Sequence, residues 1–228
     1  MPLSFDPQQF PVLAIDDHLP AVPIDRLSVF ALRERFTRSP AWQPELVVER
    51  QLSGRAPVHA SVLVPLVVRD GQVTVLLTQR ADHLSDHPGQ ISFPGGRAEG
   101  DDPTVIATAL REAEEEIGLP QRYVQVLGTL PTYTTVTGFI VTPVVALVES
   151  DFTLRADPLE VADVFEVPLA FLMSPAHHRR HVLGEGDEAR EFLSMPWNTQ
   201  AADGSPKCYF IWGATAAMLR NLYRFLSV

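Results

Sequence analysis

Cysteine is nearly missing from this chain of 228 residues, in which Cys208 is the single example. No disulfide can therefore form within the chain, which favours a reducing compartment, and we predict the cytoplasm. A lone cysteine is most often a packing residue of a protein core. We therefore expect Cys208 to be buried and to have no role as a nucleophile.

Positive charge is also scarce. The chain has 18 Lys and Arg residues against 28 Asp and Glu residues, which gives a formal net charge of −10. A surface of that sign repels a long polyanion, so no nucleic-acid partner is expected. A small phosphate-bearing substrate stays open, because a bound metal and a few local cations can outweigh the overall field.

Long hydrophobic runs are absent. No apolar stretch of the sequence reaches the roughly 18 residues that a membrane span requires, so we expect no membrane partner. The first residues, MPLSFDPQQF, have neither the basic start nor the apolar centre of a secretory signal. No feature of the sequence indicates an oligomeric state.

The chain is long enough for one large domain with an extension, and an apolar content of 46% is ample for a core. Many of its 20 prolines lie in the first 60 residues. We predict a partly helical, irregular extension over residues 1–50 and one folded domain over residues 51–228. Such an extension would cover a sheet edge, form a dimer contact or shape a pocket of that domain.

Hydrophobic periodicity predicts a mixed α/β sandwich. Helical spacing is found at residues 25–38 and 213–226, and a short helix is expected after Pro168. Two β-branched runs at residues 60–68 and 73–78 are separated by Asp-Gly, which is a hairpin signal. Further strands are predicted at residues 90–94, 124–130, 139–148, 191–196 and 207–212.

The most informative stretch is GGRAEGDDPTVIATALREAEEEIGL, residues 95–119. Its apolar residues recur at helical spacing, with Pro103 suited to the first turn. Asp101 or Asp102 is the expected N-cap, and Gly118 is the expected C-cap. The stretch therefore predicts a loop followed by one amphipathic helix.

Three glutamates of this helix, Glu112, Glu115 and Glu116, are spaced so that they share one face. Carboxylates placed so close together repel one another unless a cation lies among them, and hard divalent cations prefer oxygen ligands. A solvated acidic face is the commoner meaning of such a pattern when it stands alone. With the neighbouring glycines and Arg111, it predicts a metal site for a phosphate-rich substrate.

Residues 96–119 resemble the Nudix box, G-x5-E-x7-R-E-U-x-E-E-x-G-U, where U is aliphatic. The second half agrees at Arg111, Glu112, Ala113, Glu115, Glu116, Gly118 and Leu119. The first half is one residue longer than the usual box, and Asp102 stands where the box has Glu. The resemblance implies an α/β/α sandwich with a mixed sheet, and Mg²⁺ or Mn²⁺ held by Glu112, Glu115 and Glu116.

The preceding segment, LLTQRADHLSDHPGQISFPGG, resembles the coenzyme A pyrophosphatase branch of that superfamily. The motif L-L-T-x-R-[SA]-x3-R-x3-G-x3-F-P-G-G is matched at Leu76, Leu77, Thr78, Arg80, Ala81, Gly89, Phe93, Pro94, Gly95 and Gly96. Ser85 stands where the branch has Arg, and Tyr209 to Leu219 also resembles the branch. The resemblance implies cleavage of coenzyme A to 3′,5′-ADP and 4′-phosphopantetheine. A nucleotide sugar or dinucleotide is the alternative substrate, and a noncatalytic ligand-binding domain is a distant one.

The resemblance also suggests roles for single residues. Arg111 is expected to orient a glutamate by ion pairing, since its planar fork fits a carboxylate. Gly95 and Gly96 let the backbone approach the metal site. Arg80 is a candidate phosphate contact, with a surface charge as the simpler interpretation. Phe93 is expected near the substrate, packing beneath the site.

The general base is left open among three acidic residues, Glu160, Asp163 and Glu166, with Glu160 preferred. A second cluster comprises His177, His178, Arg179, Arg180 and His181. A metal site is conceivable there, but Pro175 and the lack of partners favour a loop.

Overall fold

The structure, a computed structural model, describes residues 6–48, 56–84, 87–184, 189–201 and 203–228. Ser85, which departs from the coenzyme A motif, lies outside these residues. So does the boundary predicted between residues 50 and 51.

The described residues form strands and helices that are numbered here along the chain. The strands are β1 Val12–Ile15, β2 Val58–Arg69, β3 Gln72–Arg80, β4 Ile91–Ser92, β5 Gly95–Arg97, β6 Val124–Thr129, β7 Tyr133–Thr134, β8 Phe139–Val148, β9 Val161–Pro168, β10 Arg179–Leu183, β11 Arg190–Gln200 and β12 Pro206–Trp212. The helices are α1 Val29–Thr37, α2 Val105–Ile117, α3 Leu169–Leu172 and α4 Gly213–Ser227.

The strands form two sheets. The larger sheet has the order β4-β3-β2-β8-β6, with β5 paired to β2, β7 to β8 and β9 to β3. Strands β2 and β8 run parallel, whereas β3, β5 and β6 join them antiparallel, so this sheet is mixed. The smaller sheet has the order β1-β10-β11-β12 and is antiparallel throughout. The predicted α/β class with a mixed sheet is confirmed.

Two buried clusters lie on opposite faces of the larger sheet. On one face, Ala113 and Ile117 of α2 pack with Leu63 and Leu76. On the other face, Leu77 belongs to the cluster that includes residues of α1, α3, α4 and the smaller sheet. Because successive side chains of a strand point to opposite faces, neighbouring residues of β3 contribute to different clusters. The sheet is therefore covered on both sides.

The predicted hairpin between β2 and β3 is confirmed. Arg69 pairs with Gln72, so Asp70 and Gly71 form a two-residue loop. Their φ angles are +47° and +80°. Two successive left-handed residues are typical of a hairpin turn of type I′, for which Asp-Gly is a preferred sequence.

Helix α2 ends as predicted but begins differently. Gly118 has a φ of +64°, and its amide donates to the carbonyls of Ala113 and Glu114, as a left-handed C-cap does. The expected cap by Asp101 or Asp102 is wrong. The hydroxyl of Thr104 caps the helix by accepting a hydrogen bond from the Ala107 amide at 3.1 Å. The Asp102 carboxylate is instead engaged by Arg111.

Some predictions of local structure are wrong. The helix predicted at residues 25–38 is confirmed, as a 3₁₀ turn at Ile24–Leu27 followed by α1. The N-terminal part also contributes strand β1, which was not predicted and pairs with β10. The supposed loop around the histidine cluster includes β10, with His178 and His181 buried. Strand β1 pairs with residues more than 160 positions later, which the pattern within a short segment does not reveal.

Cys208 is also placed differently from its expectation. Its side chain is exposed on β12, so the prediction that it packs in the core is wrong. A strand at the edge of a sheet leaves part of its surface uncovered, and hydrophobic composition alone does not reveal which residue lies there.

Candidate active site

Two glutamates of α2 lie against the glycine pair that forms the start of β5. The Glu116 carboxylate is buried, with the residue 5% exposed, and its Oε2 accepts a hydrogen bond from the Gly95 amide at 3.0 Å. A Cβ atom on Gly96 would lie 2.5 Å from both carboxylate oxygens of Glu112. At Gly95 a Cβ would lie 2.4 Å from the Ser61 carbonyl oxygen, and φ is +155°. The backbone therefore approaches both carboxylates only because glycine occupies these positions.

The electrostatic environment of these two glutamates favours their neutral forms. The pKa of Glu116 is raised to about 8, mainly by burial. The Gly95 amide and Arg80 oppose this shift, and the Glu112 and Glu160 carboxylates add to it. Burial also raises the pKa of Glu112, although Arg111 opposes that shift. Burial thus outweighs the nearby arginines and disfavours the charged forms of both carboxylates.

Arg111 connects the loop before α2 to the helix itself. Its Nε and Nη2 donate to the two carboxylate oxygens of Asp102 at 3.1 and 2.9 Å, and Nη2 also donates to the Arg97 carbonyl at 3.1 Å. Its Nη1 lies 3.1 Å from Glu112 Oε1 and 2.8 Å from Glu115 Oε2. The hydrogen bonds from Arg111 hold the pKa of Asp102 well below its ordinary range. Arg111 is thus placed to position Glu112.

Glu115 does not join Glu112 and Glu116 in this structure. Its side chain is 59% exposed and forms an ion pair with Arg111. Within the described ranges, no three His, Cys, Asp or Glu side chains already converge on a point that would hold a metal ion. Glu112 and Glu116 nevertheless fit a divalent cation, because both carboxylates lie against the same glycine pair and offer the oxygen ligands that such cations prefer.

Glu160 and Arg80 act electrostatically on the α2 glutamates. Glu160 is exposed, and its carbonyl accepts a hydrogen bond from the Ala81 amide at 2.9 Å, which holds it beside the end of β3. Its carboxylate raises the pKa values of both Glu112 and Glu116, so it lies within electrostatic reach of them. Half-buried Arg80 acts on Glu116 with the opposite sign.

Backbone hydrogen bonds fix the loop that carries Glu160. The Asp157 amide donates to the Glu116 carbonyl at 2.8 Å, and the Arg155 amide donates to the Ile117 carbonyl at 2.9 Å. This loop therefore rests on the last turn of α2. Residue patterning does not indicate these contacts, because each joins main-chain atoms that are far apart in sequence.

The other two candidate bases are engaged elsewhere. The Asp163 carboxylate accepts hydrogen bonds from the Lys207 ammonium and the Tyr209 hydroxyl. The Glu166 carboxylate is bound by Arg69 and accepts a hydrogen bond from the Thr74 hydroxyl at 2.6 Å. Of the three acidic residues, Glu160 is the one that the structure brings to the α2 glutamates.

Phe93 lies close to the site along the chain, two residues before Gly95, but its side chain is 2% exposed and belongs to the buried core. The aromatic ring therefore packs in the core and does not face solvent. Its position matches the packing role expected from the sequence.

Comparison with known protein families identifies the family of this chain. The NUDIX domain family matches residues 57–183, which is more than half of the chain. The chain belongs to the Nudix family. Nudix hydrolases act on nucleoside diphosphate derivatives and use divalent metal ions, and the paired α2 glutamates belong to the segment that the family match covers.

Curated relatives agree with this assignment. An uncharacterized Nudix hydrolase, NudL, from Escherichia coli O1:K1 is 46% identical over 165 residues, covering 72% of this chain and 80% of that protein. NudL from Shigella boydii serotype 18 has the same 46% identity over the same share of each chain. This protein is accordingly a Nudix hydrolase.

Solved structures similar to this chain include a Caenorhabditis elegans Ap4A hydrolase binary complex, with a TM-score of 0.42 and 20% identity over 51% of this chain and 85% of that one. The NUDIX domain of Shewanella oneidensis NrtR complexed with ADP ribose has a TM-score of 0.40 and 25% identity, over 51% of this chain and 75% of that one. Among the described helices, none is both long and apolar enough to cross a membrane.

Proposed function

We propose that this Nudix hydrolase is a metal-dependent pyrophosphohydrolase that cleaves the diphosphate of coenzyme A and its derivatives to 3′,5′-ADP and 4′-phosphopantetheine. One observation carries the proposal. Gly95 and Gly96, which end the coenzyme A-type motif of residues 76–96, are the residues that contact the carboxylates of Glu116 and Glu112. The motif that suggests the substrate and the glutamates that suggest the metal therefore meet at one place.

Glu112 and Glu116 would hold Mg²⁺ or Mn²⁺, with Glu115 as a further ligand. A divalent cation, when bound there, neutralises diphosphate oxygens and lowers the pKa of bound water. Arg111 positions Glu112 through the ion pair between them and holds the preceding loop through Asp102.

We assign substrate binding to Arg80 and proton transfer to Glu160. Arg80 binds a diphosphate oxygen. Glu160 accepts the proton of the water whose oxygen attacks phosphorus, while the bridging P–O bond breaks and the second phosphate leaves. The exposed position of Glu160 and its electrostatic reach to Glu112 and Glu116 support this role. The proposal also places the protein in the cytoplasm.

A substrate panel tests the proposal directly. The purified chain is incubated with coenzyme A, ADP-ribose or a dinucleoside polyphosphate, in Mg²⁺, Mn²⁺ or chelator, and the products are identified by mass spectrometry. We expect metal-dependent release of 3′,5′-ADP and 4′-phosphopantetheine from coenzyme A. Preferred cleavage of ADP-ribose or the dinucleotide would support the alternative substrate class. Binding by calorimetry without any turnover would indicate the noncatalytic domain.

A further inference from the structure

A cavity of about 270 Å³ lies between β12 and the segment that joins β3 to β4. Its wall includes Gln79, Gln90, Ile91, Cys208, Tyr209 and Trp212. Pockets for small molecules usually have volumes of about 300–1,000 Å³, so this cavity has room for one moiety of a larger substrate.

Neighbouring residues at the end of β3 border the cavity and the proposed diphosphate site. Gln79 precedes Arg80 in β3, and the Arg80 amide donates a hydrogen bond to the Gln90 carbonyl at 3.0 Å. Because neighbouring side chains of a strand point to opposite faces, Gln79 faces away from α2 whereas Arg80 faces toward it. The cavity and Arg80 therefore lie on opposite faces of β3, and a substrate held by Arg80 would reach the cavity around the end of that strand.

Two side-chain amides from different elements line this cavity, those of Gln79 and Gln90. Both residues are half-buried, and in the described parts of the chain neither side chain forms a hydrogen bond with protein. A glutamine amide offers two donor hydrogens and an acceptor oxygen. These donors and acceptors are therefore available to a polar ligand that enters the cavity.

The other wall of the cavity is aromatic and held in place. The Tyr209 ring stacks on Phe165 with centroids 3.5 Å apart and an interplanar angle of 6°, and its hydroxyl donates to Asp163 at 2.6 Å. Trp212 packs edge-on against Phe192, with centroids 5.7 Å apart. Fixed aromatic side chains beside amide groups suit a flat heteroaromatic ring with hydrogen-bonding edges.

We propose that this cavity binds the adenine base of the substrate's nucleoside half, with Gln79 and Gln90 hydrogen-bonding to the edge of the base. Glutamine pairs with adenine through adjacent donor and acceptor atoms, which matches the donor and acceptor of the amide. This inference rests on the proposed function, since it names the part of a diphosphate-linked nucleotide that lies beside the Arg80 site.

The single cysteine of the chain provides a direct measurement of occupancy. Cys208 is exposed and lines the cavity. Alkylation of the full chain by iodoacetamide, in chelator and followed by intact mass, therefore reports whether the cavity is filled without requiring catalysis. We expect AMP and 3′,5′-ADP to slow alkylation, and ribose 5-phosphate and 4′-phosphopantetheine to have no effect at equal concentration. Protection by 4′-phosphopantetheine instead, or by none of these compounds, would overturn the inference.

Two variants test the amides. Gln90→Leu and Gln79→Leu should each raise KM for coenzyme A about tenfold and leave kcat within about twofold, because a bidentate contact to a base is worth about 1–3 kcal/mol. They should also weaken AMP protection of Cys208 by a similar factor. Gln72→Leu is the matched control, since Gln72 is exposed at the other end of β3 and far from the cavity.

The outcomes separate the two proposals. Cleavage of coenzyme A without AMP protection of Cys208, or with unchanged KM in both glutamine variants, would refute the base site and leave the proposed function standing. AMP protection that the glutamine variants abolish, in a protein that does not cleave coenzyme A, would support the base site and refute the proposed substrate.

Discussion

At the residue scale, three consecutive glutamates of α2 occupy three different environments. Glu114 is exposed and accepts a hydrogen bond from Gln121 at 3.3 Å. Glu115 pairs with Arg111, and Glu116 is buried against the Gly95 amide. Since the residue type is the same at all three positions, tertiary environment alone distinguishes them. Glu116 therefore suits a test of catalysis, and the exposed Glu114 of the same helix serves as its control.

Replacing a glutamate that carries the chemistry should reduce catalysis without unfolding the protein. We expect Glu112→Gln, Glu116→Gln and Glu160→Gln each to lower kcat on coenzyme A by about a hundredfold or more, because each removes a charge assigned to the metal or the attacking water. Glu114→Gln is the control and should retain full activity. Steady-state kinetics with circular dichroism of each variant checks this, and full activity of both α2 variants would exclude the metal assignment.

The buried position of Glu116 also predicts a pH effect on stability. Its folded-state pKa of about 8 lies above the ordinary 4.5, so the folded protein holds this proton more tightly than the unfolded chain. Its contribution to the free energy of unfolding therefore falls as pH rises from about 4.5 to about 8. In chelator, Glu116→Gln should be more stable than the parent near pH 8 by about 1–3 kcal/mol, and closer to it near pH 5.

Urea unfolding of both proteins at the two pH values measures this difference. Adding Mg²⁺ to the parent protein near pH 8 should restore part of its stability, since a ligand that binds the folded state stabilises it. A stability difference between variant and parent that does not change with pH would contradict the assigned environment of Glu116.

At the element scale, the site depends on how closely β5 and α2 approach each other. Gly96 of β5 pairs with Ser61 of β2 and lies against the Glu112 carboxylate of α2. Arg111 adds a second connection between the same elements through the Arg97 carbonyl. The strand, the loop and the helix therefore hold the glutamates as one unit.

Enlarging Gly96 should disturb this unit at the carboxylate. In Gly96→Ala the new Cβ would lie 2.5 Å from the Glu112 oxygens, so that side chain must move away from Gly96. We expect kcat to fall by at least about tenfold, since displacing a catalytic group by about an ångström has large effects on rate. Gly100→Ala, in the same loop, meets nothing within 4 Å and should remain active. Equal kinetics for the two variants would show that Glu112 does not depend on the close approach.

At the scale of the whole molecule, a buried ion network joins the N-terminal segment to the rest of the fold. Asp16, 2% exposed, lies 2.7 Å from Arg180 Nε of β10 and 3.0 Å from Arg220 Nη1 of α4. Glu45 lies 2.8 Å from Arg220 and 2.9 Å from Arg180. Two acidic residues of the first 48 thus share two arginines from later elements, so this segment packs as part of the described fold.

Removing one member of the network should destabilise the protein strongly. Arg220→Met leaves Asp16 buried with less compensation, and breaking such a pair typically costs about 3–5 kcal/mol. The exposed pair between Glu34 and Arg38 provides the comparison, with side chains 49% and 79% exposed. Glu34→Gln should change stability by no more than about 0.5 kcal/mol. Urea unfolding of the three proteins measures both effects, and a small loss for Arg220→Met would show that the network contributes little.

Sequence patterning was informative wherever the determining contacts are local. The Asp70-Gly71 hairpin, the C-cap of α2 at Gly118 and the terminal helix α4 all follow from turn chemistry or helical periodicity within a few residues. The sheet class follows from the order of those elements. Strand β1 was not predicted, because it pairs with β10 across more than 160 residues. Strand β10, which also pairs with β11, was missed because its run of histidines and arginines lacks the apolar pattern of a strand.

The sequence by itself determined that three glutamates recur on one helix beside a glycine pair, because both patterns are local. The tertiary structure alone decided that Glu116 is buried, that Glu115 pairs with Arg111 and that Asp102 serves that arginine and does not cap the helix. It also brought Glu160 and Arg80 to the same site. Burial and ion pairing depend on contacts between side chains that the folded sheet brings together. The spacing of residues along the chain does not reveal those contacts.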